Sequence, residues 1–410
     1  MNVLIQLSHP AHFHFYKVVA QNLISEGHKV LFVIKSKDIL EVLLQNAGLP
    51  YTNINQHAHR GSKLGILWDM IVREWRIIKL CRKHKIDLLT GSTPDIAHAG
   101  WWMRKWRVNT GEDDAAVVPL FGKIAGRFVQ TLLTPTTCDN GCMNNKSAKY
   151  PGYQELAYLH PNHFKASQEV VSSYGIDTTK PYFILRFASL NAHHDDGIKG
   201  INTEVAQRLI DTLSSHGQIY ITSERPLEPQ FEQYRIRINP LDIHHVMAFA
   251  AIYIGDSQTM ACEAGILGTP FVRFNDFVGR INYMAEMEDI YELGYGIHAT
   301  PLTEESSIRR ADGSIQPSGV EQLYSRVEQL VAMPAEQRRT VFAARREKML
   351  ADKIDCAKFL TWFIENYPAS AEQTKQLMLH QIPPSGSSLN DCKKLFLCSL
   401  ETENFYFCAV

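Results

Sequence analysis

The sequence predicts an α/β protein of two doubly wound domains, each with a parallel sheet between helices, followed by C-terminal helices. Three observations predict this class. Short apolar runs alternate with segments of helix length, the alternation stops once near residue 150 and then restarts, and polar turns follow several strands. With 410 residues, the chain is long enough for two domains of ordinary size and a tail.

The expected domain boundaries follow from these breaks. The first alternation ends in a segment rich in Tyr, Pro and Gly, and after residue 370 the composition shifts to Gln, Ser, Pro and Cys. We therefore expect a first domain at residues 1–150, a linker at 151–161 and a second domain at 162–335. C-terminal helices are expected at 336–369, followed by a poorly ordered tail at 370–410.

The individual elements are predicted from apolar periodicity, with Gly27 and Gly48 as helix stops. In the first half, strands are expected at 3–7, 29–34, 51–54 and 86–90, and helices at 10–26, 37–46 and 63–85. In the second half, strands are expected at 182–187, 218–222 and 252–255, and helices at 202–215, 243–250, 320–332 and 335–365. Two such units predict Rossmann-like lobes facing a central cleft, with ligands beyond the carboxyl ends of the strands.

Composition excludes several classes of protein. Hydrophobic residues make up 45% and charged residues 21%, and the net charge of −1 argues against a general nucleic-acid binder. No run approaches the roughly 20 apolar residues that cross a bilayer. Eight cysteines show no disulfide or metal-binding framework, so reduced thiols and a cytoplasmic location are expected.

The most informative segment is 252–273. It combines a short apolar strand, a turn of Gly255, Asp256 and Ser257, a helix of small residues carrying Glu263, and a second strand. Free N–H groups and the dipole at the start of such a helix favour a phosphate, and Glu263, two turns further on, is placed to bind ribose hydroxyls. The alternative is an ordinary βαβ unit with a serine at the helix start.

A polar loop follows the first strand of the second domain. Arg186, Ser189, His194, Asp195 and Lys199 lie within fifteen residues of one another, between 186 and 200. Such a set suits a pyrophosphate and its attached sugar, although a loop this polar is also consistent with plain surface. Further along, the pair that starts at His244 is placed to contact a nucleotide base, and a helix cap at the preceding aspartate explains that segment equally well.

Three histidines lie at the first strand-to-helix turn. His9, His12 and His14 cannot share one helical face, so a metal site is not expected there. His9, in the turn itself, is the candidate general base or hydrogen-bond donor to a phosphate. For the other two, packing against neighbouring Phe residues is preferred. A carboxylate within 112–114 is a weaker catalytic candidate, since acids commonly stabilise a helix start.

Aromatic residues and cations occur together in two segments of the first domain, 63–85 and 101–107. This mixture suits a patch that approaches a membrane surface and a lipid-linked acceptor. It also suits a core helix with a basic outer face, which is the preferred interpretation.

These blocks resemble a family of uncharacterised prokaryotic proteins that are predicted GT-B-type glycosyltransferases, related in fold to UDP-N-acetylglucosamine 2-epimerase. The matching blocks are spread over about the first 300 residues, at 9–15, 150–161, 186–187, 194–200, 242–245, 255–263, 267–270 and 277–280. Two positions depart from the family pattern. Gln258 stands where a small residue is usual, and 109–114 differs from the expected acidic motif.

The resemblance implies a UDP-type ligand in the second domain. Its phosphates would bind Ser257 and the neighbouring amides of Gln258 and Thr259, and its ribose would bind Glu263. In the epimerase branch, residues of the corresponding polar loop act on the sugar, and His194 and Asp195 match that loop loosely. Asp256 and Arg186 are also expected to bind the nucleotide sugar.

The expected function is a glycosyltransferase that needs neither metal nor cofactor and moves a sugar from a nucleoside diphosphate, UDP by preference, to a glycan or lipid-linked acceptor in cell-envelope polysaccharide synthesis. Lys199 and Arg280 would stabilise the leaving diphosphate, and His9 would be the base. A sugar-nucleotide epimerase and a non-catalytic nucleotide-sugar-binding protein stay open as alternatives. Peripheral contact of the first domain with the inner face of a membrane stays open as an alternative, and no nucleic-acid partner is expected.

Overall fold

The computed structural model describes residues 1–35, 39–55, 63–188 and 199–380. Within them the chain forms two compact units. The N-terminal unit comprises residues 1–162 together with the chain from 352 onward, and the central unit comprises residues 163–351. The predicted class is confirmed, because each unit is built on a parallel sheet with helices packed against it.

The sheet of the N-terminal unit has seven strands, all parallel, in the order β3-β2-β1-β4-β5-β6-β7. Its strands are β1 Asn2–Leu7, β2 Lys29–Lys35, β3 Tyr51–Asn55, β4 Leu88–Gly91, β5 Trp106–Thr110, β6 Thr131–Pro135 and β7 Ser147–Tyr150. The central strands are nearly continuous apolar runs, as expected where helices cover both faces of a sheet. The strand order reverses between β1 and β4, because β2 and β3 are added on one side of β1 and β4 to β7 on the other.

Six α-helices connect these strands or follow them. They are α1 Pro10–Ser25, α2 Leu40–Asn46, α3 Lys63–His84, α4 Pro94–Met103, α5 Pro119–Ala125 and α6 Leu156–Leu159, with a 3₁₀ turn at Gly141–Lys146. Helices α1, α4 and α5 each begin with a proline, where a missing N–H costs no hydrogen bond.

The central unit has five parallel strands in the order β12-β11-β10-β8-β9. They are β8 Tyr182–Phe187, β9 Gln218–Ser223, β10 Ile252–Gly255, β11 Phe271–Phe274 and β12 Gly294–Ile297. The helices are α7 Gln168–Ser173, α8 Thr203–Ser214, α9 Ile243–Phe249, α10 Gln258–Leu267, α11 Asn282–Ala285, α12 Val320–Ala332 and α13 Ala335–Asp352, with shorter turns at Pro229–Tyr234, Pro240–Asp242 and Glu286–Ile290. The apolar faces of α8 and α12 pack on this sheet.

The chain then returns to the N-terminal unit. Helices α14 (Cys356–Glu365) and α15 (Ala369–His380) pack there, α14 against α1 and α15 against β7. Two contacts fasten α14: Thr361 Oγ1 accepts a hydrogen bond from Asn22 at 3.3 Å, and His28 Nε2 lies 3.1 Å from a carboxylate oxygen of Glu365.

The C-terminal helices differ from the prediction in two places. The helix expected over 335–365 is two helices, because Asp355 caps α14 by accepting the amide hydrogen of Lys358 at 3.0 Å. Residues 370–380, expected to belong to a poorly ordered tail, are part of helix α15, and Ala371 and Thr374 are buried at helical spacing. Composition concealed this short apolar face. Residues 381–410 lie outside the described part of the chain.

The preferred interpretation of 63–85 and 101–107, a core helix with a basic outer face, is wrong for the tryptophans. Trp68 and Trp75 on α3 are 55% and 61% exposed, and Trp101 and Trp102 on α4 are 46% and 70% exposed. The buried side of α3 holds Ile77 and other smaller side chains instead. Periodicity predicts the helix but does not decide which side of a two-sided amphipathic pattern packs on the sheet.

Candidate functional site

The candidate site of the central unit is the point where its strand order reverses. From β8 the chain moves to β9 on one side and then returns to β10 on the other, so the carboxyl ends of β8 and β10 border a crevice. Arg186 and Gly255 pair directly across these two strand ends. A Cβ on Gly255 would lie 2.8 Å from the Cβ of Arg186 and 2.6 Å from the hydroxyl of Tyr253, so only glycine fits.

Helix α10 starts at this crevice. Ser257 is its N-cap, in an extended conformation, with Oγ accepting the amide hydrogen of Met260 at 3.4 Å. Ser257, Gln258 and Thr259 are half-buried. The free amides of a helix's first turn and the helix dipole favour an anion at such an end.

Asp256 braces the backbone around the site with both of its carboxylate oxygens. One carboxylate oxygen accepts the amide hydrogen of Ala188 at 2.6 Å, and the other accepts that of Ile201 at 3.3 Å. These two residues flank the polar loop on either side. Asp256, expected from the sequence to bind the nucleotide directly, therefore ties both flanks of the loop to the β10–α10 turn. Its burial raises the pKa of its carboxyl from 3.8 to about 6.

This pKa predicts a pH dependence of stability. In the unfolded chain Asp256 titrates near its usual value, so between about pH 4 and about pH 6 the folded state holds more protons than the unfolded state. The contribution of Asp256 to the free energy of unfolding therefore falls as the pH rises through this window, by roughly 2–3 kcal/mol, and is constant above it. Urea unfolding of the wild type and Asp256→Asn across this range should show a difference in the free energy of unfolding that changes by this amount in the stated direction. Parallel curves for the two proteins would contradict it.

The far flank of the loop is fastened a second time, by Asp276. Its carboxylate accepts the amide hydrogen of Lys199 at 2.9 Å, and that of Thr300 at 2.7 Å. The amide hydrogen of Asp276 is donated in return to the carbonyl oxygen of Lys199 at 3.2 Å. The side chain of Lys199 is exposed, which leaves its ammonium group in solvent on a fixed backbone.

Two buried polar atoms near the strand ends have no partner in the described part of the chain. The guanidinium group of Arg186 donates to Thr222 Oγ1 at 3.0 Å and to Glu224, but its Nε has no hydrogen-bond partner. The hydroxyl of Tyr253 is also unpartnered, and burial raises its pKa well above the ordinary value. Since buried polar groups are nearly always hydrogen-bonded, unused donors at a strand-order reversal are typical of a ligand or water site.

The structure brings Glu263 and His244 together. Both are buried, and His244 Nε2 lies 2.9 Å from Glu263 Oε1. Glu263 lies on α10 and His244 on α9, whose packing against each other aligns the two side chains. The ring of Phe164 stands edge-on to His244, 6.1 Å away between centroids. The imidazole therefore orients one carboxylate oxygen of the residue expected to bind ribose.

Sequence reasoning missed Asn275, which is fully buried at the end of β11. Its amide group donates to the carbonyl oxygen of Asp256 at 2.8 Å and to Gln258 Oε1 at 3.4 Å. It thereby holds the turn and the bulky Gln258 side chain together. The signal that could have indicated this role was an asparagine directly after the apolar strand, two residues beyond Arg273. Arg280, another predicted ligand residue, is exposed in a later turn.

In the N-terminal unit, the corresponding reversal lies between β1 and β4, and His9 stands at it. His9 is the N-cap of α1, and its Nδ1 accepts the amide hydrogen of Ala11 at 3.2 Å. Because Nδ1 accepts this bond, the ring carries its proton on Nε2, which acts as a donor. His12 Nδ1 lies 3.4 Å from Ser8 Oγ, and His14 stacks near Tyr158, 5.2 Å between ring centroids.

A buried hydrogen-bond network lies next to the carboxyl ends of β1 and β4. Arg73 binds Asp95 through two hydrogen bonds of 3.0 and 3.2 Å, and Gln6 donates to the same carboxylate at 3.1 Å. Thr93 donates to Gln6 Oε1 at 2.5 Å. Because these groups join β1, α3 and the β4–α4 turn, they fix the position of the backbone near His9.

The remaining predicted residues divide into two groups. Asp114 is buried and accepts the amide hydrogen of Asp139 at 2.6 Å, so it braces a turn, and the next helix starts only at Pro119. Ser189, His194 and Asp195 lie outside the described residues. Within the described ranges, no three His, Cys, Asp or Glu side chains form a metal-binding group.

Known structures identify the fold. The chain has a TM-score of 0.56 and 14% identity to spinosyn rhamnosyltransferase SpnG in complex with spinosyn aglycone, covering 89% of this chain and 100% of that one. It has a TM-score of 0.60 and 12% identity to a putative UDP-N-acetylglucosamine 2-epimerase from Listeria monocytogenes, over 90% and 97% of the two chains. The fold is GT-B.

A third GT-B neighbour is UDP-GlcNAc 2-epimerase from Neisseria meningitidis bound to UDP-GlcNAc. It has a TM-score of 0.56 and 12% identity, over 89% of this chain and 100% of that one. No family model and no curated protein matches the chain. The GT-B fold expected from the resemblance is thus confirmed, and at these identities the neighbours show the fold alone. Among the described residues, none of the helices is both long and apolar enough to span a bilayer.

Proposed function

We propose that this protein is a glycosyltransferase that takes a sugar from a nucleoside diphosphate, with UDP as the preferred nucleotide. The observation that carries the proposal is the site at the β8–β10 reversal, where the start of α10 and Glu263 lie on the same helix and His244 of α9 holds the Glu263 carboxylate. An anion site followed two turns later by an oriented carboxylate matches the spacing between a diphosphate and its ribose.

The proposed roles follow the geometry. The amides at Ser257, Gln258 and Thr259 bind the diphosphate, and Glu263 binds the ribose hydroxyls. Lys199 and Arg280, both exposed, supply positive charge to the leaving diphosphate. His194, Asp195 and Ser189 are proposed to contact the sugar and phosphates from the polar loop. Asp256 keeps a positioning role, because its oxygens hold the loop flanks.

The acceptor is proposed to bind at the carboxyl edge of the N-terminal sheet, and a glycan or a lipid-linked sugar is the proposed class. His9 is proposed to donate a hydrogen bond to the departing phosphate oxygen. Its capping bond places the proton on Nε2, which favours the hydrogen-bond donor over the general base among the two roles considered. No metal ion or cofactor is part of the proposal.

A sugar-nucleotide epimerase is the second candidate. It is favoured by the structural likeness to UDP-N-acetylglucosamine 2-epimerases, one of which is bound to UDP-GlcNAc. An epimerase acts on the sugar of the donor itself and needs no acceptor. Conversion of UDP-GlcNAc by the protein alone, without an added acceptor, would select this candidate over the transferase.

The test is a thermal-shift panel of UDP, GDP, CDP, dTDP and ADP, each with and without Mg²⁺. A ligand that binds only the folded state raises stability by RT ln(1 + [L]/Kd), or about 2.7 kcal/mol at one hundred times Kd. We expect the largest shift with UDP, independent of Mg²⁺. If none of the nucleotides shifts the melting temperature, the donor site is wrong.

Two variants make this test specific. Glu263→Gln keeps the size of the side chain and removes its charge, so it should weaken UDP binding and reduce the shift. Glu204→Gln is the matched control, because Glu204 is an exposed carboxylate of the same unit in the first turn of α8. The assignment of Glu263 fails if both variants respond to UDP as the wild type does.

A further inference from the structure

The outward face of α3 carries apolar and aromatic side chains at helical spacing. Leu67, Trp68, Ile71 and Trp75 are each about half exposed or more, at 49%, 55%, 48% and 61%. Ile71 lies three to four residues beyond Trp68 and Leu67, and Trp75 lies four residues beyond Ile71, so the four side chains form one stripe along the helix. A contiguous exposed apolar stripe of this kind on a folded protein marks an interaction surface.

Helix α4 adds two more tryptophans beside it. Arg73 on α3 binds Asp95 on α4, and Glu74 on α3 lies 2.6 Å from His98 on α4, so the two helices are locked together. Trp101 and Trp102 occupy the last turn of α4, and Trp102 is 70% exposed. Indole rings are large and amphipathic, and they favour the boundary between water and hydrocarbon.

The same two helices end in cations. Lys79, Arg82 and Lys83 are exposed in the last turns of α3, and Arg104 is exposed directly after α4. Lys79 Nζ stands 5.5 Å from the centre of the Trp75 ring, so charge and aromatic surface adjoin. Helix α3 contains two acidic residues, Asp69 and Glu74, and the Glu74 carboxylate is hydrogen-bonded to His98. The exposed charge of this surface is therefore strongly positive.

We propose that this surface, the exposed faces of α3 and α4, docks on an anionic lipid bilayer. The tryptophans and aliphatic residues would enter the headgroup boundary while the cations contact lipid phosphates. A lipid, rather than a protein, fits because aromatic side chains and exposed cations occur together on this surface, on a chain whose overall charge is close to zero. Docking rests on the proposed function only in bringing the N-terminal sheet close to a lipid-linked acceptor.

The experiment is co-sedimentation of the full chain with vesicles of phosphatidylcholine alone and of phosphatidylcholine mixed with phosphatidylglycerol. The wild type should pellet with the anionic vesicles and much less with the neutral ones, and added salt should weaken the binding. The double variant Trp68→Ser, Trp75→Ser should lower the vesicle affinity about tenfold. The triple variant Lys79→Gln, Arg82→Gln, Lys83→Gln should lower it by about fivefold for each cation removed, on anionic vesicles only.

Matched controls come from exposed residues elsewhere. Ile24→Ser on α1 removes an apolar side chain that is 51% exposed, and Lys180→Gln removes a cation whose side chain is 79% exposed. Both should bind vesicles as the wild type does. Failure of the wild type to pellet with anionic vesicles, or an equal loss in the control variants, would overturn the proposal. So would self-association that the tryptophan variant abolishes, with no vesicle binding.

Vesicle binding and the UDP-dependent thermal shift are separate measurements. Each exposed variant should keep the UDP response of the wild type, since none lies in the central unit's site. Vesicle binding without any nucleotide response would support the lipid-docking proposal and contradict the proposed transferase function. A nucleotide response without vesicle binding would do the reverse.

Discussion

His9→Asn should lower turnover by about 10²–10³-fold while leaving the melting temperature of the protein nearly unchanged. The histidine does two things that this substitution separates. Its Nδ1 caps α1, and its Nε2–H is proposed to donate a hydrogen bond to the departing phosphate oxygen. Asparagine is among the best N-cap residues, so it preserves the capping bond while removing the imidazole. The measurement is steady-state release of UDP from a UDP-sugar with acceptor present, beside thermal melting.

His9→Ala is the companion variant. It removes both the cap and the imidazole, so it should lose the same turnover and also about 1 kcal/mol of stability. If His9→Asn retained full turnover, the role of His9 would be structural only. A pH profile distinguishes the two chemical roles, since a base loses activity as it becomes protonated and a donor does not.

Arg273→Met should destabilise the protein by about 3–5 kcal/mol. Arg273 is fully buried in β11, and its Nε donates to Glu288 Oε1 at 2.9 Å. Burial raises the pKa of Glu288, and the arginine opposes that rise. Without Arg273 the carboxylate would be buried beside Gly296 with its principal partner removed. Urea unfolding of wild type and variant measures the loss.

The double variant Arg273→Met, Glu288→Leu should recover much of this loss, because replacing both members of a buried pair removes the uncompensated charge. The matched control is Arg235→Met. Arg235 binds Glu232 at 2.7 Å on the surface, and exposed pairs contribute about 1 kcal/mol or less. Similar losses in Arg273→Met and Arg235→Met would contradict the argument.

Much of the fold could be predicted because its signals are local. The strands at 182–187 and 252–255 and the helix at 320–332 were predicted at the observed bounds, since apolar periodicity and turn residues mark them within a few positions. The break between α13 and α14 was missed. It depends on a single capping side chain, Asp355, in a segment with no Gly or Pro.

The sequence predicted where the candidate site lies but not which of its residues hydrogen-bond to one another. The turn at 255–257 lies at the strand-order reversal, as its residue types indicate. The sequence did not show that Asp256 would be occupied by two backbone amides, or that Asn275 would hold Gln258. These partners lie between 17 and 68 residues away along the chain, and no local pattern relates them.

The sequence by itself determined the α/β class, the two parallel sheets and the polar turn at the start of α10, because periodicity, glycine positions and helix caps act over a few residues. Tertiary structure alone decided which partners those residues meet. It paired His244 with Glu263, and it turned Trp68 and Trp75 outward. The physical reason is that burial and hydrogen bonding depend on which elements pack together, and packing joins residues that are distant in the chain.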